Sequence, residues 1–142
     1  MSRIMVLVLT LALAAALIGC GKPKSIAGST PRATAEAFVA AIQAGNYDVV
    51  AAGYDYETYA RTENPDWDTF GQSQRKLIVG KLQEQQAEKL GALAGMLAGE
   101  VTVGEAQVEG ERATVDLTTG STTLKMSLIK VDGLWKVLGV EE

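Results

Sequence analysis

The stretch that decides the fold is residues 111–140, ERATVDLTTGSTTLKMSLIKVDGLWKVLGV. Apolar and polar side chains alternate in three successive runs, which is typical of strands with one buried face. Asp132-Gly133 is the strongest hairpin signal in the chain, because a tight type I′ turn requires a positive φ at both central residues. The pattern predicts three consecutive antiparallel strands whose inward side chains are Ala113, Val115 and Leu117, then Leu124, Met126 and Leu128, then Trp135 and Val137.

Residues 101–109 predict one further strand, with a bulge at Gly104 where the parity of the apolar residues changes. Helices precede it. Thr30-Pro31 is an N-cap followed by a proline at the first helical position, and it predicts a helix to about residue 44. The pattern then predicts a short helix over 47–52, an irregular segment over 53–71 and a long helix from residue 72 or 73. Because glycine is a poor helix former, the glycines at 91, 95 and 99 predict that the long helix frays or ends early. The expected fold is α+β, with N-terminal helices packed on a four-stranded antiparallel sheet.

The N-terminus carries a different kind of signal. Arg3 is followed by a nearly unbroken apolar run over residues 4–18, which is shorter than a membrane-spanning helix and fits a secretory signal. Leu17, Ile18, Gly19 and Cys20 then resemble the lipobox of bacterial lipoproteins, which implies a diacylglyceryl group on the Cys20 sulfur and cleavage before Cys20. The alternative is an ordinary signal peptide cleaved after the alanine run at 14–16, with Cys20 buried.

The lipobox resemblance divides the chain into three parts. Residues 1–19 are the removed signal peptide, residues 20–29 are the acylated cysteine and a flexible tether, and residues 30–142 are a single domain. Acyl chains bury many methylene groups, each contributing about 0.8 kcal/mol, so the expected partner is the membrane. The expected location is a bacterial cell envelope, with the protein facing the periplasm or the exterior. In many species with two membranes, an aspartate directly after the acylated cysteine marks retention in the inner membrane. This chain has Gly21 there, so the outer membrane is allowed.

Composition removes several function classes. The chain has no histidine and a single cysteine, so once Cys20 is acylated, histidine-based nucleophiles, imidazole metal sites and internal disulfides are excluded. The net charge of −4 provides no basic stripe for nucleic acid. We therefore expect a protein that is not an enzyme and uses no cofactor.

The first helix and the ending KVDGLWKV, residues 130–137, resemble small bacterial lipoproteins of the nuclear transport factor 2-like, or cystatin-like, superfamily. That resemblance implies a cone in which helices pack in the concave face of a strongly curved sheet, with room for a pocket at the open end. Enzymatic members place an acid or histidine base inside the cone. This chain has no histidine and Asp116 has the outward parity of its strand, so no catalytic residue is carried over.

Three clusters are candidate sites, each with a simpler alternative. The aromatic residues Tyr54, Tyr56, Tyr59 and Trp67 either line a ligand pocket or cap the core. Acidic residues at 63, 66 and 68 lack the spacing of a calcium loop and are interpreted as solvated turn residues, so no metal site is predicted. The uncharged run at 90–99 contains Gly91-x-x-x-Gly95, which favours either packing at the helix end or contact with a second copy or the membrane.

These observations predict a lipid-anchored envelope protein that is a binding or interaction module rather than an enzyme. Its partner is an envelope protein or a small apolar ligand, and a homodimer is a further alternative. The second hypothesis for function is a small-molecule carrier or weak enzyme that uses the cone pocket.

Overall fold

The computed structural model describes residues 25–142, in which helices are followed by an antiparallel sheet, as the α+β prediction requires. Leu17, Ile18, Gly19 and Cys20, with the rest of residues 1–24, lie outside the described residues. The helices are α1 Pro31–Gln43, α2 Tyr47–Ala52, α3 Tyr56–Glu63, a 3₁₀ turn at Trp67–Thr69, and α4 Gln72–Met96. The strands are β1 Thr102–Val103, β2 Gln107–Glu109, β3 Arg112–Thr119, β4 Thr122–Val131 and β5 Leu134–Glu141.

The prediction of four strands is wrong, because the first predicted strand is broken into β1 and β2. Both pair antiparallel with β3, Val103 opposite Leu117 and Gln107 opposite Thr114. Three residues, 104–106, separate these two pairs on one side, and two residues, 115 and 116, separate them on β3. The extra residue is the bulge predicted at Gly104. The Gly104 N–H donates to the Asp116 carbonyl at 2.8 Å. The sheet runs β1-β3-β4-β5, with β2 also on β3, and it is not closed.

The three long strands follow the predicted register. Asp132 and Gly133 have φ values of 52° and 80°, as their tight turn requires, and Val131 pairs with Leu134 across it. A register shift in β5 leaves Leu138 as an extra residue between the positions that face Ser127 and Leu128. Every side chain predicted to face inward is buried, and these residues form one core with the apolar side of α1: Ala35, Phe38, Val39, Ala41 and Ile42.

Two helices differ from the sequence prediction. Residues 56–63, predicted as irregular, form α3, whose first turn is capped by the Asp55 carboxylate accepting from the Thr58 N–H at 3.0 Å. The sequence predicts that the long helix frays or ends early near its three glycines; α4 continues through Gly91 and Gly95 and ends at Met96, before Gly99.

Side chains from other elements stabilise the end of α4. Thr119 Oγ1 donates to the Met96 carbonyl at 3.1 Å, and Gln43 Nε2 donates to the Leu97 carbonyl at 3.0 Å. Leu90 and Leu97 are buried in the core. Carbonyls at a helix end have no partner within the helix, and here tertiary hydrogen bonds and packing outweigh the weak helix propensity of glycine.

Residues 25–29, predicted as part of a flexible tether, are packed against the domain. Ile26 is only 4% exposed, and its side chain lies directly against Gly53, where a Cβ would collide with it. Gly28 bridges to Trp135 of β5, whose N–H donates to the Gly28 carbonyl at 2.8 Å. The folded domain therefore includes these residues.

The hydroxyl of Thr34 joins this segment to α1 and to β5. Thr34 is fully buried, and its Oγ1 accepts from the Gly28 N–H and donates to the Trp135 carbonyl, both at 3.0 Å. The segment before α1, α1 itself and the last strand thus meet at one side chain. Leaving a buried polar group without its partner lowers stability by more than a hydrogen bond between solvated groups contributes to it.

We predict that Thr34→Val, which keeps the shape and removes the hydroxyl, lowers the free energy of unfolding by about 1–3 kcal/mol because it leaves buried backbone groups without partners. Urea denaturation measures the change. Thr123→Val, on an exposed position of β4, is the control and should change the free energy by no more than about 0.5 kcal/mol. Equal effects of the two substitutions would contradict the role given to Thr34.

Candidate functional site

Tyr54 lies where the chain between α2 and α3 runs beside β5. The Val137 N–H donates to the Gly53 carbonyl at 2.8 Å, and the Asp55 N–H donates to the Val137 carbonyl at 2.9 Å. These two bonds form a short parallel bridge between Tyr54 and Val137. The edge of the sheet therefore fixes the backbone of Tyr54.

The ring of Tyr54 is part of the core. It is 6% exposed, its centroid lies 6.4 Å from that of Phe38, and it stacks on Tyr56 at 5.7 Å and an interplanar angle of 16°. Its hydroxyl is buried without a hydrogen-bond partner among the described residues. The burial of the ring fits the predicted capping role. A ligand could instead accept the hydrogen bond that the Tyr54 hydroxyl lacks within the described residues.

A cleft of about 200 Å³ opens beside Tyr54 and Tyr59, between α4 and the end of β5. We call it the tyrosine cleft. Its α4 wall is amphipathic, and Glu141 provides an acidic group at the end of β5. The remaining lining residues are Gln86, Lys89, Ala92, Leu93, Met96, Gly139 and Val140.

All three tyrosines of this region hold their protons more tightly than a free phenol. Burial raises the pKa of Tyr54 far above its ordinary value of 10.0, and the nearby Tyr56 adds to the effect. Burial also raises the pKa of Tyr56. The pKa of Tyr59 is raised by burial first and then by the charges of Glu63 and Glu141. At neutral pH these hydroxyls are hydrogen-bond donors and not bases or nucleophiles.

Trp67 occupies a different place. It is 1% exposed, lies edge-on to Phe70 at 6.2 Å, and has the Arg75 guanidinium carbon 5.5 Å from its ring centroid. Arg75 also donates to the Trp67 and Asp68 carbonyls, at 3.2 Å each. Trp67 lines a second, wider cleft of about 520 Å³ that includes Glu57 and the first turns of α4. We call it the tryptophan cleft.

The four predicted aromatic residues are therefore divided. Tyr54 and Tyr59 line the tyrosine cleft, Tyr56 stacks behind Tyr54, and Trp67 lines the tryptophan cleft. Sequence reasoning missed the α4 residues of the tyrosine cleft. Their spacing, Gln86, Lys89, Leu93 and Met96, puts them on one face of a helix, but only the tertiary structure shows that this face meets Tyr54.

Residues 25–142 contain no group of three or more histidine, cysteine, aspartate or glutamate side chains that could hold a metal ion. No helix in the same range is both long and apolar enough to cross a membrane. Asp116 is exposed on the outward side of β3, as its parity predicts.

Comparison of the chain with protein-family models, with curated proteins and with solved structures finds no match.

We predict that Tyr54→Phe leaves the free energy of unfolding at pH 7 unchanged or raises it by up to about 1 kcal/mol, because it removes a buried hydroxyl that has no hydrogen-bond partner in the described part of the chain. Urea denaturation measures the change, with Tyr47→Phe as an exposed control. A loss of more than about 1 kcal/mol at pH 7 would show that the hydroxyl is hydrogen-bonded.

The same variant has an expected pH dependence. Since burial raises the Tyr54 pKa in the folded state, the unfolded chain loses its phenolic proton first as the pH rises above about 10. Stability therefore falls with rising pH in that range. Phenylalanine removes this contribution, so the stability of Tyr54→Phe should fall less steeply between pH 9 and about 11. Parallel curves for the two proteins would contradict the raised pKa.

Proposed function

We propose that this chain is a lipid-anchored protein of a bacterial cell envelope, attached through Cys20, and that its folded part is a binding or interaction module rather than an enzyme. The sequence LIGC at residues 17–20, behind a basic and apolar start, supports the anchor. The absence of histidine from the chain supports a non-enzymatic role.

The single structural observation that supports this proposal best is the packing of residues 25–29. Five peptide steps separate Cys20 from Ser25. A fully extended chain covers about 3.3–3.6 Å per residue, so the link reaches at most about 18 Å. A domain held this close to its anchor suits a protein that works at the membrane surface, on a partner that is also there.

We also propose that the domain is a cone of the nuclear transport factor 2-like type. The packing of α1 on one face of an antiparallel sheet, with Leu90 of α4 in the same core, supports this assignment, as does the bulged β5 that follows the Asp132-Gly133 turn. The open sheet is compatible with a cone whose mouth is not covered.

Labelled fatty acid tests the anchor. We predict that it enters the wild-type protein in cells and does not enter Cys20→Ser, because the thiol is the group that is acylated. A control variant, Cys20→Ser combined with Ser29→Cys, restores a thiol nine residues away. It should stay unlabelled, since that cysteine lacks the residues before Cys20. Equal labelling of wild type and Cys20→Ser would overturn the proposal.

A small-molecule carrier is the second candidate function. The observation that favours it is the Tyr54 hydroxyl, a buried donor that has no hydrogen-bond partner within residues 25–142 and belongs to a residue lining the tyrosine cleft. A ligand of this cleft would be small, largely apolar, and equipped with one oxygen that accepts a hydrogen bond.

Native mass spectrometry of the full protein, released gently from membranes, tests the carrier. If it is a carrier, a small molecule remains bound to wild type and is depleted from Leu93→Trp, which fills the cleft from α4. Leu77→Trp, on an exposed part of the same helix, is the control and should retain the ligand. Wild-type protein that is fully free of ligand, or equal retention by Leu93→Trp, would contradict this function.

A further inference from the structure

An apolar groove lies where the folded chain begins. It has a volume of about 450 Å³ and is formed by residues 25 and 26, one side of α1 and the start of α2. We call it the alanine groove. Its lining residues are Ser25, Ile26, Ala37, Ala40, Ala41, Ala44, Asn46 and Val49, none of them charged.

The groove exists because α1 has two apolar sides. Phe38 and Ile42 point into the core against the sheet. Ala37, Ala40 and Ala44 recur at intervals of three and four residues, so they share another side of the same helix. Ala40 and Ala44 are exposed, whereas Ile26 is buried at the base of the groove. A solvated helix surface would normally carry charged residues at such positions.

We propose that the alanine groove faces and contacts the lipid surface to which Cys20 is attached, so that the occupant of the groove is the interfacial layer of the bilayer. The proposal rests on the lipid anchor proposed above. It adds an orientation: α1 is the membrane-facing side of the domain, and the outward face of the sheet is turned to solvent.

The length of chain before the groove carries this proposal. Ser25 lines the groove itself, and the link from Cys20 spans at most about 18 Å. The polar interfacial layer of a bilayer takes up about 5–8 Å on each side, so part of that link lies within it. The groove is therefore held within about one helix diameter, roughly 10–12 Å, of the lipid headgroups, and its apolar surface can be covered by them.

The distribution of charge and aromatic residues agrees with this orientation. The link contains Lys22 and Lys24, and each lysine near an anionic surface contributes about 1 kcal/mol. Tyr47 follows Asn46 of the groove and is 39% exposed, and tyrosine is enriched at the membrane interface.

The outward face of the sheet has the opposite character. Asp116 lies opposite Lys125, and Lys125 lies opposite Glu141 on the next strand. All three residues are exposed, and alternating charges across strands are typical of a face in contact with water. The lining of the alanine groove is thus uncharged while the outward face of the sheet is charged, and the short link begins beside the groove.

A fluorescent label at each side tests the orientation in the full protein. Cys20 is the only cysteine and is consumed by acylation, so an introduced cysteine is the single free thiol. Ala40→Cys places the environment-sensitive fluorophore NBD in the groove, and Thr123→Cys places it on exposed β4 as the matched control. Both proteins are purified with their acyl chains and reconstituted into vesicles of phosphatidylethanolamine and phosphatidylglycerol.

We expect the label at position 40 to shift to shorter emission wavelength and to be quenched by brominated lipids, with iodide quenching several-fold weaker than at position 123. Equal iodide quenching at the two positions, in protein that carries labelled fatty acid, would overturn this inference and leave the anchor intact. Protein without labelled fatty acid would overturn the anchor and this inference together.

Other occupants of the groove have their own signatures, and each would also overturn the proposal. A label at position 40 that neither lipid nor iodide quenches, together with crosslinked dimers in the vesicles, would assign the groove to a second copy. The same shielding without dimers, abolished when residues 21–24 are replaced by Gly-Ser-Gly-Ser, would assign it to the link folded back on the domain.

Discussion

The hydroxyl of Thr34 is the interaction on which the rest of this structure depends. It accepts a hydrogen bond from Gly28 and donates one to Trp135, so that the beginning of the folded chain, the first helix and the last strand are joined at one buried atom. The segment before α1 becomes a part of the domain through this contact. The distance between the domain and Cys20 is therefore limited by the length of residues 20–25 rather than by that of a longer tether.

The same contact protects the edge of the sheet. Gly28 and Gly53 accept hydrogen bonds from Trp135 and Val137, which lie on the outer strand β5. An uncovered edge strand offers its backbone groups to other chains and invites aggregation. Ile26 fills the space between the two covering segments, where Gly53 leaves room for it by having no side chain. The packing of residues 25–29 thus covers part of the edge strand and also shortens the chain between the domain and Cys20.

Local signals were sufficient for much of the fold. The alternation in residues 111–140 and the Asp132-Gly133 turn act between neighbours in sequence, and they predicted the three long strands and their inward faces correctly. What local signals could not show depends on distant partners. The pairing of β1 and β2 with the same strand, the continuation of α4 past two glycines, and the burial of Ile26 all rely on contacts with residues far along the chain.

The candidate site shows the same division. The aromatic residues were identified from the sequence, but the sequence did not show that Trp67 lies in a separate cleft. Its position there depends on a tertiary contact with Arg75 of α4. The sequence also did not show that the chain before α1 lines an apolar groove. A composition of lysine, glycine, proline and serine predicts a solvated tether. Residues 25–29 nevertheless pack against the domain, through the buried side chain of Ile26 and the hydrogen bond of Gly28 to Thr34.

Amide hydrogen exchange at Gly28 tests most directly whether this segment belongs to the domain. Its N–H donates to Thr34 Oγ1, and the Val137 N–H, which donates to Gly53, provides an internal reference within the sheet. The account predicts that Gly28 exchanges slowly, with protection approaching that of Val137, because both open only when the domain unfolds. Exchange of Gly28 at the rate of an unstructured peptide, while Val137 stays protected, would contradict it.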